Sequence, residues 1–144
     1  MTLKPFGGLR SEQRPNQMPD LRQNIVVVDD DNDMNHAIER LLNAAGFHAT
    51  TYPSAEALLK NGAASAADCL VLDVHLPGLS GFELRRRLQL EGTTVPVIFI
   101  TAYEDSASRS EAESAGAIAY LTKPFPGQAL LSAIRTALDD AAKG

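Results

Sequence analysis

Residues 25–31 read Ile-Val-Val-Val-Asp-Asp-Asp, and this stretch decides the fold class. Ile25, Val26, Val27 and Val28 are β-branched throughout and apolar at every position instead of alternating, as a strand must be when both of its faces are covered. The run reads as the first, central strand of a parallel sheet, with Asp29 and Asp30 at its carboxyl end. Downstream, Cys69-Leu70-Val71-Leu72 repeats the pattern and also ends on an acid, Asp73.

Helical patterns fill the intervals. From about Asp33, His36, Ala37, Leu41, Leu42 and Ala45 recur at helical spacing, and Gly46 is suited to the left-handed residue that ends a helix. Phe47 to Tyr52 alternates and predicts a more exposed strand, after which Ser54 is a candidate N-cap for a short helix through Leu58 and Leu59. Gly62 to Ser65 is a connector, and His75 to Ser80 is an aperiodic loop. Gly81 to Leu90 predicts a third helix with Phe82, Leu84 and Leu88 on its apolar side, followed by a buried strand from Val95 to Ile100 that ends at Thr101. Glu104 to Ala115 is serine-rich with little apolar face, so it predicts a weakly packed, mobile helix closed by Gly116. Ala117 to Leu121 is the fifth strand, Lys123-Pro124 breaks the pattern, and Leu130, Leu131, Ile134 and Leu138 mark a final helix. Strands alternating with helices in this way predict α/β architecture built from five βα units.

Residues 1–23 carry three prolines, two glycines and no sustained period, and are expected to be a flexible tail or linker preceding a domain over residues 24–142. A chain of 144 residues accommodates one such domain, and no second domain is expected after it. The formal net charge is −5 and the one dense basic run is Arg85-Arg86-Arg87, which argues against direct nucleic-acid binding and reads as a solvated helix face. Cys69 is the single cysteine, which rules out an intramolecular disulfide and reads as a small buried apolar residue. No apolar run approaches the roughly 20 residues that span a bilayer, and the N-terminal stretch lacks the apolar core of a secretory signal, so a cytoplasmic location is expected.

In an open parallel sheet, residues that end separate strands converge beyond the carboxyl edge. Here they are Asp29, Asp30, Asp73, Thr101 and Ala102, with Lys123 following the fifth strand. Crowded carboxylates raise one another's pKa or recruit a cation, and an all-oxygen donor set suits Mg²⁺ or Mn²⁺. A carboxylate can also attack phosphorus, in a transfer that needs mainly alignment and neutralisation of the phosphoryl oxygens. Taken singly these residues have plainer uses. The acidic triplet can be a solvated turn, Thr101 and Tyr120 can be packing residues, and His36 and His48 read as surface or core histidines.

Val28-Asp29-Asp30, Leu72-Asp73 followed by Leu76-Pro77-Gly78 and Gly81, Ile100-Thr101-Ala102, and Tyr120 with Lys123-Pro124-Phe125 together resemble the receiver domains of two-component response regulators, over roughly residues 24 to 141. The resemblance implies a doubly wound, flavodoxin-like five-stranded sheet of order 2-1-3-4-5. It implies that Asp73 accepts a phosphoryl group from a sensor histidine kinase or histidine phosphotransfer protein. Asp30, Asp73 and the backbone carbonyl of His75 would contact Mg²⁺, with Asp29 acting largely through water. Lys123 would pair with the phosphoryl group, Thr101 would turn its hydroxyl toward it, and Tyr120 would move inward, changing the surface of the fourth helix, fifth strand and fifth helix. His75 and Tyr103 would flank the path of hydrolytic water and set the phosphorylated lifetime. A cis Lys123–Pro124 peptide is expected, as are an output domain or downstream partner, a possible homodimer on phosphorylation, and self-catalysed phosphorylation and dephosphorylation. Ser80 stands where many receivers carry Asp, and can serve as the N-cap of the third helix. An aspartyl-nucleophile hydrolase needs a second acid two residues after the nucleophile, where His75 stands. A pseudo-receiver usually lacks part of the acidic pocket or the lysine, and both are present.

Overall fold

The computed structural model describes residues 21–143 of the chain. The expected tail lies outside the described residues except for its last three. Five strands, β1 (Asn24–Val28), β2 (His48–Tyr52), β3 (Cys69–Asp73), β4 (Val97–Thr101) and β5 (Ala119–Thr122), form one parallel sheet of order β2-β1-β3-β4-β5. Between and after them run α1 (Asn32–Ala44), α2 (Ala55–Asn61), α3 (Gly81–Leu90), α4 (Ser106–Ser114) and α5 (Gly127–Lys143), with a 3-10 turn at Ala63–Ala66. This is the doubly wound α/β sheet expected.

The unbroken apolar strands are explained by two cores, one on each face. Val26, Val28, Leu70, Leu72, Val97 and Phe99 pack under α2 and α3, and with Ala112 of α4. Ile25, Val27, Cys69, Val71, Ile98 and Ile100 face α1 and α5 through Ile38, Leu42, Leu130 and Ile134. Since successive strand residues point to opposite faces, the runs 25–28, 69–72 and 97–100 had to be apolar at every position. β2, at the sheet edge, is half-buried along most of its length.

Several boundaries differ from the sequence expectations. β4 starts at Val97, not Val95, because Pro96 contributes only its carbonyl, to Leu70 N–H, and Val95 O is taken by a side chain. β5 starts at Ala119, since Ala117 N–H closes the end of α4 on Ala112 O. On α1 the buried positions are Asn35, Ile38 and Leu42, whereas His36 and Ala37 are exposed. Arg85 is not on a solvated face. It is 8% exposed, follows Phe82 by one helical turn, and donates from Nη1 to Val95 O at 2.6 Å. Its Nε–H has no partner, while Arg86 and Arg87 are exposed as expected.

Capping follows the sequence closely. Ser54 accepts from Ala57 N–H, and Ser80 forms a reciprocal capping box with Glu83. Gly46 and Gly116 have φ of +92° and +75°, the left-handed backbone that stops α1 and α4. α4 is held to the body by one buried residue, Ala112. Among the described residues no helix is long and apolar enough to cross a membrane.

Candidate functional site at the carboxyl edge of the sheet

β1 and β3 are hydrogen-bonded neighbours in register, Val28 opposite Leu72, so the acids that follow them are brought side by side. One carboxylate oxygen from each of Asp29, Asp30 and Asp73 lies within 4.8 Å of the others. Asp29 is fully buried, Asp73 nearly so, and Asp30 is exposed, which gives the cluster a closed floor and an open side. Lys123 reaches in from the end of β5. Its Nζ donates to Asp29 Oδ2 at 2.7 Å and to Asp73 Oδ2 at 3.4 Å. The Lys123–Pro124 peptide is cis, as expected.

Backbone amides take the other carboxylate oxygen of Asp29 and of Asp73. Asp31 N–H donates to Asp29 Oδ1 at 2.9 Å, and His75 N–H donates to Asp73 Oδ1 at 3.1 Å. Asn35, buried on α1, donates from Nδ2 to the Asp29 carbonyl at 2.8 Å and so ties the acidic turn to the helix behind it.

The electrostatics reflect three acids facing one base. Burial pushes the Asp29 carboxyl above its ordinary 3.8 and the charge of Asp73 adds to the rise, although Lys123 and the Asp31 N–H pull it down. Burial also works against charge on Lys123, but the Asp29 hydrogen bond and the attraction of both carboxylates outweigh it, and the ammonium is held above its ordinary 10.5. One ammonium leaves the cluster with excess negative charge. A compact all-oxygen donor set with that charge fits a hard divalent cation.

Thr101 is fully buried at the end of β4 and engaged locally, its Oγ1 donating to Tyr103 O at 2.9 Å and accepting from Tyr103 N–H at 3.1 Å. The same carbonyl receives the Tyr120 hydroxyl at 3.4 Å. Tyr103 is exposed, and its ring meets that of His75 edge-on with centroids 5.6 Å apart. The residues expected at the site are therefore divided into an acidic pocket with Lys123 and, beside it, a polar knot on the Tyr103 backbone. His36 and His48, both exposed, belong to neither.

The family described as "Response regulator receiver domain" matches residues 25–135. The chain belongs to that family. The response regulator protein TmoT of Ectopseudomonas mendocina is 38% identical to this receiver domain over 138 residues, covering 96% of the chain and 61% of TmoT. The transcriptional regulatory protein FixJ of Azorhizobium caulinodans is 36% identical over 119 residues, 83% of the chain and 56% of FixJ. Among solved structures, response regulator StyR aligns with a TM-score of 0.78 at 39% identity, over 85% of this chain and 62% of that one. The chain thus spans little more than half the length of such relatives. It is a receiver domain of the kind found in two-component response regulators.

Two groups of residues in this receiver domain escaped the sequence reading. Asn35 had one available signal, a polar residue one turn before Ile38 on the buried side of α1. Glu104, Arg109 and Thr122 had none, because they meet only in the folded chain: Glu104 accepts from Thr122 Oγ1 at 2.8 Å and pairs with Arg109, whose guanidinium lies 4.9 Å from the Tyr120 ring centroid.

Proposed function

We propose that this receiver domain is a phosphorylation switch in which Asp73 takes a phosphoryl group from the phosphohistidine of a sensor histidine kinase or a histidine phosphotransfer protein. The observation that carries it is the convergence of Asp29, Asp30 and Asp73 around the Lys123 ammonium at one sheet edge. In the transfer, an Asp73 carboxylate oxygen attacks phosphorus and the bond from phosphorus to the donor ring nitrogen breaks, the nitrogen keeping the electron pair. Lys123, shared between two carboxylates, follows the charge onto the phosphoryl oxygens. Mg²⁺ or Mn²⁺ would be held by Asp30, Asp73 and the His75 carbonyl, with Asp29 acting through water, and when bound supplies the neutralisation that lets two anions approach.

Once Asp73 is phosphorylated, Thr101 Oγ1 leaves Tyr103 O for the phosphoryl group, Tyr120 moves inward, and the α4–β5–α5 surface changes. This is a shift between existing conformations. Small phosphodonors serve as substrates for the same chemistry, and water attacking the phosphoaspartate restores the resting state. The lengths of TmoT and FixJ support an output segment elsewhere in the protein, with a homodimer on phosphorylation as one route of control. A net charge of −5 supports a domain that does not itself bind nucleic acid, acting in the cytoplasm.

Incubation with acetyl phosphate and Mg²⁺ followed by intact-mass measurement tests the proposal. The wild-type chain should gain one phosphoryl group and Asp73→Asn none. A gain in both, or in neither, would overturn it.

A further inference from the structure

Asp29 is gripped through both of its peptide groups. Its N–H donates to Tyr52 O at the end of β2 at 3.1 Å, and its carbonyl accepts from Asn35 Nδ2 at 2.8 Å. The same Nδ2 reaches Tyr52 O at 3.4 Å, so one amide on the first turn of α1 ties together the ends of β1 and β2. These partners decide the orientation of the amide: turned over, its oxygen would face two carbonyl oxygens. At the other end of the turn Asp31 caps α1, its Oδ1 accepting from Asp33 N–H at 2.9 Å and from Met34 N–H at 3.3 Å. The acidic turn is therefore pinned to α1 twice, by Asn35 at Asp29 and by the helix cap at Asp31. Asp30 lies between the two pins. It is exposed, and among the described residues its carboxylate has no hydrogen-bond or ion-pair partner, so the backbone of the turn is what places it.

We infer that Asn35 is a positioning residue for the acidic pocket: by holding the Asp29 carbonyl it sets the turn from which the Asp29 and Asp30 carboxylates face Asp73, and so the affinity of the pocket for a divalent cation. The inference rests on the reading of that pocket as a Mg²⁺ site. Asn35 is 4% exposed, and its Oδ1 is shielded and has no partner among the described residues. A buried acceptor without a donor is destabilising, and an apolar side chain of similar shape would avoid it. What that side chain lacks is the donor for the Asp29 carbonyl. Replacement would thus exchange one unpartnered oxygen for another, Asn35 Oδ1 for Asp29 O, with little net effect on folding. The turn would keep its helix cap and lose its other pin, and a small displacement there alters the fit of a cation that demands strict geometry. Groups that orient metal ligands from behind commonly account for about tenfold or more of the affinity.

The test titrates Mg²⁺ alone into the unphosphorylated chain and follows the backbone amide resonances of Asp31 and His75. Asn35→Leu and Asn35→Ala are compared with wild type, and Ile38→Val, at the next buried position of α1, is the control for a loosened helix. Both Asn35 variants should bind Mg²⁺ about three- to tenfold more weakly, whatever happens to their Tm. Ile38→Val should lower Tm and leave the dissociation constant within about twofold of wild type. Folded Asn35 variants that bind Mg²⁺ as wild type does would overturn the inference. So would an Ile38→Val chain weakened as much as they are, because the effect would then be a general loosening of α1. A wild-type chain whose resonances ignore Mg²⁺ would overturn the reading of the pocket and this inference with it, whereas a responsive wild type with unchanged variants overturns this inference alone.

Discussion

Lys123 serves two carboxylates with one ammonium, and at rest it is nearer to Asp29 (2.7 Å) than to Asp73 (3.4 Å). Asp73 is thus left partly uncompensated, which suits a nucleophile. The neighbours of Asp73 and Thr101 bear on what happens afterwards. His75 and Tyr103 meet edge-on beside them, and we propose that these two bulky rings obstruct attacking water. His75→Ala and Tyr103→Ala should each shorten the phosphorylated lifetime several-fold, measured as loss of the phosphorylated mass after the donor is removed; unchanged decay in both would refute the obstruction. Cys69 is a residue-scale case of the opposite kind. Burial pushes its thiol up to about 12, with the charge of Asp68 adding to the effect. A folded value raised above the ordinary 9.0 means that the stability held in the protonated thiol is complete below pH 9.0 and is lost as pH rises toward 12, at up to ~1.4 kcal/mol per pH unit. Iodoacetamide at pH 8.5 should therefore label the urea-unfolded chain quickly and the native one far more slowly. Equal rates would contradict the burial.

At the scale of elements, the β3–α3 junction places the helix start directly against the proposed acceptor. Gly81 donates its N–H to Val74 O, and a Cβ at that position would lie 2.4 Å from the Asp73 carbonyl oxygen. Backbone cannot yield as a flexible side chain can. Gly81→Ala should cost about 1–3 kcal/mol in urea unfolding and also slow phosphorylation, because relief of the clash moves Asp73. Ser80→Ala removes the cap for a similar cost of ~1 kcal/mol but should leave the rate near wild type. What was legible in the sequence follows the same lines. β1, β3 and β4 were readable because helices cover both faces, and Ser54 and Ser80 because caps are local. Asn35 and Arg85 were not, since a polar side chain that is buried and donates to a carbonyl elsewhere in the chain looks in sequence like a surface residue. The pairing of Glu104 with Thr122 and Arg109 joins three elements and leaves no trace in any single stretch of sequence.

For the whole molecule, the sheet has two packed faces and one electrostatically costly edge. Folding brings Asp29, Asp30 and Asp73 together against their repulsion, so a cation that binds the folded state alone must raise stability. Mg²⁺ at a hundred times its dissociation constant should add about 2.7 kcal/mol, seen as a rising Tm across a titration. Asp30→Ala should remove most of that response while raising Tm in the absence of metal, because one like charge is gone. A titration unaffected by Asp30→Ala would move the cation elsewhere.

Ala112 is the single buried residue of α4, and this has a consequence for descent with modification. A helix anchored by one small side chain can exchange almost every other residue without disturbing the cores beneath the sheet. Lineages can therefore adjust how readily the domain responds, or which partner reads it, through surface substitutions alone, while the acid-bearing strands stay under the separate constraint of packing.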